Sequence, residues 1–333
     1  MKLVELLKSN SLLRRVVKRT KIKKEYYKDY KQFSKYYMDS SNGINQTEYR
    51  IIFIAHSIEK GMTHKNLRPF GEKKINDILN NLIILDNFNV TKSTSYSIGY
   101  NILIKWKNLY DINNWYKTNC YIKVTKYLEN AKHNFVECKV GSFVNTKDEY
   151  SKYYNFDYLD AIQTRHSVRD FKIKEINQKD LKYCIQSAIW SPSACNRQMC
   201  KIYYVKSNNK KKELSDAIMG LTGFNNESIN LFLITYDISA FLFFGERNQG
   251  YFNAGLFAMN FVNALHFRGI GSCFLQWGNK HSQEKSIKKI LGIPKNEKIV
   301  ISIAAGYYKD NTLVPRSQRK KISEIYKELW GWK

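Results

Sequence analysis

No stretch of this chain approaches 18 consecutive apolar residues, so a membrane-spanning helix is excluded. None of its six cysteines falls in a Cys-x-x-Cys, and its six histidines show no zinc-ligand spacing; His56 and His64 stand eight apart with no cysteine pair near. A metal centre is therefore not expected, and Cys120, Cys138, Cys184, Cys195, Cys200 and Cys273 read as free thiols of a reducing compartment. Also missing are a Ser/His/Asp arrangement, a paired-carboxylate motif and a phosphate-binding P-loop, which leaves no protein-borne nucleophilic machinery. Gly269-Ile-Gly271-Ser-Cys273 is not a dinucleotide fingerprint, because it follows a helix and lacks the third glycine. The N-terminus has neither an uninterrupted apolar segment nor a small-residue cleavage site, so a signal peptide is not expected.

Acidic residues are scarce. Against 55 Lys and Arg there are 29 Asp and Glu, a net charge of +26. Such a balance suits an anionic partner such as nucleic acid, a membrane surface or an acidic polymer. It equally suits a Lys/Asn/Ile/Tyr-rich composition whose lysines spread over the surface. In the C-terminal half the charges do not gather into one tract, which favours the second reading, and no nucleic acid partner is expected. With 43% hydrophobic residues the chain buries a proper core, so disorder is not its default state.

What is present begins with a basic amphipathic run. Leu3, Leu6, Leu7, Leu13, Val16 and Val17 alternate with Arg14, Arg15, Lys18 and Arg19. This is a docking helix packed on the protein or on a second copy, or else a helix resting on an anionic membrane surface. Further helices are expected from near Gln46 to Gly61, after the Pro69–Gly71 loop, and around 94–109 and 120–134. Residues 1–148 thus form a helical extension, and the polar stretch Gly141–Tyr153 reads as a linker to a second domain over 149–333. In that domain strands are expected at Lys201–Val205, Asn230–Tyr236, Ser272–Trp277 and Ile299–Ala304. Helices are expected at 179–190, 210–219, 249–268 and 283–291.

The densest chemistry lies between Asp157 and Gln198. A short helix capped by Asp157 gives way to Arg165, His166, Ser167 and Arg169. Two guanidinium forks and a hydroxyl within five residues suit a phosphate monoester. A second helix then runs into Ser191-Pro192-Ser193, where the proline stops it. Asn196 and Gln198 follow, two amides that donate and accept along a heterocycle edge.

Arg165-His-Ser-Val-Arg-Asp-Phe followed by Ser191-Pro-Ser-Ala-Cys-Asn-Arg-Gln resembles the opening of the FMN-dependent nitroreductase family. The later order of helices and strands and the tail around Gly306-Tyr-Tyr resemble it too, so the likeness covers about residues 156–326. It implies an α+β fold, a central mixed or antiparallel sheet flanked by helices. It implies FMN as cofactor, NAD(P)H as co-substrate, and a homodimer with flavin at the subunit interface. Arg165, His166, Ser167 and Arg169 would hold the phosphate and the pyrimidine side of the ring. Arg319, or alternatively Arg316, would reach the phosphate. Ser191, Pro192 and Ser193 of the other subunit would cover the flavin, with Asn196 and Gln198 on ribityl or ring atoms.

No catalytic side chain is implied, since the flavin N5 carries the chemistry and Arg169 tunes it. The family's acidic residue near the start of the long helix has no secure match; Glu246 or Asn248 stands nearby. The segment His56-Ser-Ile-Glu59-Lys60-Gly61, with Asn66-Leu-Arg68-Pro69, resembles extended nitroreductase-like proteins of surface-glycan clusters. The implied activity is ping-pong hydride transfer to a small organic acceptor in the cytoplasm. The alternatives are a specialised flavin enzyme of glycan or cofactor biosynthesis, or a non-catalytic basic docking protein with a vestigial flavin fold.

Overall fold

The computed structural model describes residues 11–62, 67–130, 138–142, 157–221, 224–309 and 322–329. The fold is α+β. Five helices come first: α1 (Ser11–Tyr36), α2 (Ile44–Gly61), α3 (Glu72–Asn87), α4 (Thr94–Ile112) and α5 (Asn119–Asn130). Apolar positions at helical spacing drive α2 to α5 together, so that Ile51, Ile58, Ile78, Leu82, Leu103 and Trp106 share one buried cluster. Ser93 caps α4 by accepting from Tyr96 N at 3.2 Å. Gly99 permits the close crossing of α4 and α2, because a Cβ there would stand 2.7 Å from Ile51 Cγ2. The Asp86 carboxylate accepts from two phenols, the buried Tyr96 and the half-buried Tyr127, each at 2.8 Å.

The C-terminal half is built on four antiparallel strands: β1 (Cys200–Val205), β2 (Asn230–Asp237), β3 (Ile270–Leu275) and β4 (Glu297–Tyr307), in spatial order β1-β2-β4-β3. Sequence reasoning left the sheet mixed or antiparallel; every strand pair in it is antiparallel. All eight residues of β2 are buried. Its alternation sends Phe232 and Ile234 to one face and Leu231 and Leu233 to the other. The first face is covered by α7 (Gln178–Ile189) and α9 (Gln249–Phe267), the second by α8 (Asn208–Ser215) and α10 (His281–Leu291). A short α6 (Tyr158–Gln163) precedes the domain and α11 (Ile322–Ile325) follows it.

The apolar loop after β2 has a physical reason. Ile238, Ala240 and Phe241 are buried together with Met199 and Tyr236, and Phe33, Tyr36 and Tyr49 of the first helices pack on them. Met38 N donates to Phe241 O at 2.5 Å, and the Phe33 and Phe241 rings stack at 6.3 Å. A loop that would face water in a free-standing domain is here the floor on which α1 and α2 sit.

Candidate functional site

After α6 the chain runs beside β3. Ser167 pairs with Ser272 in an isolated parallel bridge, Val168 N donates to Ser272 O at 3.0 Å, and Lys172 N donates to Tyr307 O at 3.0 Å. Val168 and Phe171 point into the core and are fully buried. Two glycines receive them: a Cβ on Gly271 would come within 3.0 Å of Val168 Cβ, and one on Gly306 within 2.7 Å of Phe171 Cβ. With Val168 anchored inside, Arg169 is left exposed and Arg165, His166 and Ser167 half-buried.

Among the described residues neither Arg165 nor Arg169 makes an ion pair, while the neighbouring Asp170 is taken by Lys309 at 2.8 Å. The Nε of Arg165 is buried and has no hydrogen-bond partner. Buried donors are nearly always satisfied, so an orphaned guanidinium nitrogen beside a second unpaired arginine fits an anion. His266, at the far end of α9, bonds Thr164 Oγ1 through Nε2 at 2.9 Å and Tyr308 OH through Nδ1 at 3.3 Å. Burial first, then the positive charges of Arg165 and His166, holds its pKa below the usual value.

The second group of residues forms a tight turn on the opposite half of α9. Asn260 Nδ2 donates to Ser191 Oγ at 2.8 Å, Ser191 Oγ donates to Leu256 O at 3.4 Å, and Ala194 N donates to Asn253 Oδ1 at 3.3 Å. Ser193 Oγ accepts from Gln198 N at 3.0 Å. Cys195, Asn196 and Gln198 all adopt left-handed backbone, with φ of 50°, 52° and 51°. Asparagine tolerates that region; for cysteine and glutamine it costs on the order of 1 kcal/mol or more each.

What forces the turn is Arg197. Its side chain is fully buried, with the guanidinium 5.6 Å from each of the Phe53 and Phe241 rings. It donates to Ala194 O at 2.9 Å, to Ala240 O at 2.5 Å and to both oxygens of Glu246, at 3.0 and 2.5 Å. With Arg197 drawn inward, Asn196 and Gln198 are left exposed. Gln198 borders two cavities. One of about 140 Å³ is lined by Pro192, Ser193, Asn253 and Phe257. The other, about 270 Å³, is lined by Glu48, Tyr49, Ser95 and Asp237 and so is walled partly by the N-terminal helices.

The expected site residues therefore fall into two groups within one chain. Arg165, His166, Ser167 and Arg169 stand by β3 and the end of α9; Ser191, Pro192, Ser193, Asn196 and Gln198 stand by its first half. Asn253 and His266, which mark the two groups, lie 13 residues apart on α9, roughly 20 Å along its axis. Arg316 and Arg319 lie outside the described residues. Glu59 accepts from Gly141 N at 3.1 Å and contacts His56 at 3.4 Å, which fastens the end of α2 to the chain beyond α5. Sequence reasoning missed Arg197, Asn253, Asn260, His266 and Tyr308. For Arg197 a signal existed, an arginine flanked by two residues already singled out, but its partner in an apolar loop was not legible.

Residues 162–231 and 245–307 match the sequence profile of the Nitroreductase family. A protein of Archaeoglobus fulgidus with the provisional name NADH dehydrogenase/NAD(P)H nitroreductase is 24% identical over 173 residues, 52% of this chain and 98% of that protein. Among solved structures, an FMN-dependent nitroreductase from Clostridium difficile is similar at 18% identity and a TM-score of 0.45, covering 52% of this chain and 99% of that one. The NADPH:FMN oxidoreductase of Vibrio harveyi, solved with NAD+, is similar at 18% identity and a TM-score of 0.45, covering 53% and 78%.

Proposed function

Because residues 162–231 and 245–307 match the Nitroreductase family profile, we propose that this protein is an FMN-dependent NAD(P)H oxidoreductase acting on a small organic acceptor. The observation that carries the reading is the buried Nε of Arg165, which has no hydrogen-bond partner among the described residues. Arg165 and Ser167 would hold the flavin phosphate, with Arg319 or Arg316 as a third donor. FMN bound there would supply the hydride chemistry, carrying two electrons between NAD(P)H and the acceptor in ping-pong fashion.

The chain's own residues set the electrostatics. Arg169 is the fixed cation on the side where negative charge develops on reduction, and a preorganised charge there favours the reduced form. His266, held towards its neutral form, leaves the positive field to the arginines. One chain cannot complete the site. Its Ser191–Gln198 turn lies too far along α9 from Arg165, so the turn serves the flavin held by a second copy. Phe252, Met259 and Trp190, exposed at 62%, 38% and 81%, form the apolar surface such a homodimer would cover.

A second reading keeps the flavin but narrows the chemistry. The cavity shared by Gln198 and the N-terminal helices would make those helices a wall of the acceptor pocket, giving a specialised acceptor. An absorbance spectrum of the purified protein tests both readings. Flavin peaks that bleach on anaerobic NADH or NADPH are expected. A colourless protein that refuses added FMN overturns both and leaves a non-catalytic docking protein.

A further inference from the structure

A cleft of about 770 Å³ lies between α1 and α10, and neither Arg165 nor Arg169 lines it. Seven lysines line it, and five of them, Lys31, Lys35, Lys285, Lys289 and Lys295, have no ion pair among the described residues. Lys28, Lys31 and Lys35 are spaced by three and four, which sets them on one face of α1; Lys285 and Lys289 are four apart on α10. The one carboxylate in the wall, Glu284, is already committed to Lys298 at 2.9 Å, Lys288 at 3.1 Å and the Ile299 amide at 3.2 Å. Among the described lining residues no carboxylate is left over to balance the five. His281 also lines the cleft, and its Nδ1 is buried with no hydrogen-bond partner among the described residues.

We propose that this cleft is a binding site for an oligophosphate, a small ligand carrying two or more linked phosphate groups. Lysine ammonium groups bind phosphate as point charges that need no fixed fork geometry, and two facing rows of them match charges repeated along a short chain. The volume is that of a small-molecule site. Ile293, Tyr36 and the lysine stems give the cleft an apolar floor, which suits an organic group attached to the phosphates. The walls are cross-linked at two points. Gln32 donates to Lys295 O at 2.8 Å, and the His281 amide donates to Glu25 at 3.0 Å. A cleft cross-linked at points about two turns apart on α1 favours a bounded ligand over a bilayer or a long polymer. This site is independent of the flavin reading, and neither stands on the other.

Calorimetric titration of the full chain with tripolyphosphate and with ATP, at about physiological salt, tests it. Binding at one site per chain is expected, together with a loss of roughly tenfold or more in affinity in the K31Q/K285Q/K289Q variant. Equal affinities would identify the phosphate chain alone as the ligand; tighter ATP binding would add the apolar floor. A K123Q/K179Q/K182Q control removes the same charge outside the cleft and should bind as the parent does. Thermal melting checks that both variants fold. Absent binding, an equal loss in the control, or binding seen only with single-stranded DNA or anionic vesicles overturns the proposal.

Discussion

Arg197 and Glu246 form a two-pronged ion pair beneath the Ser193–Gln198 turn, with guanidinium nitrogens 2.5 and 3.0 Å from the two carboxylate oxygens. The arginine is fully buried and the glutamate side chain is 20% exposed. Glu246 also accepts from Leu242 N at 2.9 Å and Phe243 N at 3.3 Å, so one carboxylate ties the apolar loop to the turn. The pair therefore joins three things: the start of α9, the loop under α1 and α2, and the left-handed backbone that exposes Asn196 and Gln198.

Removing one partner leaves the other charge partly buried and alone, which typically costs about 3–5 kcal/mol. Arg197→Ala should therefore lower unfolding free energy by about that amount, measured from urea transitions at unchanged m-value. A loss below about 1 kcal/mol would show that the turn holds itself.

The same pair carries a pH signature. Burial alone would raise the Glu246 pKa, but the bonds from Arg197 and the two amides hold it below the ordinary value. A depressed folded pKa means the unfolded chain binds the proton more readily, at about 4.3. The stabilisation is thus full above that pH and is lost as pH falls through the lower folded value. Stability measured against pH should fall more steeply in the acid limb for the parent than for Glu246→Gln. Superimposable acid limbs would place the sensitivity elsewhere.

Arg165→Ala should reduce FMN occupancy. Two or more charge-assisted bonds to phosphate would go, each worth about 1.5–3 kcal/mol, so roughly tenfold or more in affinity is at stake for each. Flavin fluorescence released on denaturing equal amounts of parent and variant reads this directly. Because Arg165 has no ion pair among the described residues, the variant stripped of flavin should melt close to the parent stripped of flavin. Unchanged flavin content would mean that the phosphate sits elsewhere.

Much of this was legible in the sequence because it is local. The 3.6-residue period of Ile51, Ala55 and Ile58 marks α2, and the β-rich runs around Tyr203 and Ile234 mark strands. The proline after Ser191 marks the end of a helix in the same way. What could not be read depends on long-range contact. Nothing near Phe241 in the sequence says that Phe33 will stack on it, and only the packing of α1 and α2 accounts for the loop's apolar residues. The family profile matches on either side of residues 232–244 and skips them, and the buried part of that loop lies in this gap. The partners of Arg197 and of His266 are likewise 49 and 42 to 102 positions away. Side-chain chemistry names candidates, but only the fold assigns their neighbours.

The separation of the two residue groups along α9 makes the dimer a sharp test of the site. Phe252 and Met259 are exposed in the single chain, and Gly255 between them meets nothing within 4 Å, so this stripe of α9 is open to a second copy. Charges there should not disturb the protomer's own core, which α9 reaches through Ala254, Phe257, Ala258 and Phe261 on its other face. Phe252→Lys combined with Met259→Lys should therefore yield a folded monomer by sedimentation velocity, with a near-parental helical spectrum. If the Ser191–Gln198 turn serves the flavin held by the other copy, that monomer should also lose most of its FMN, although neither substitution touches Arg165. A monomer that keeps its flavin in full would show that one chain completes the site alone.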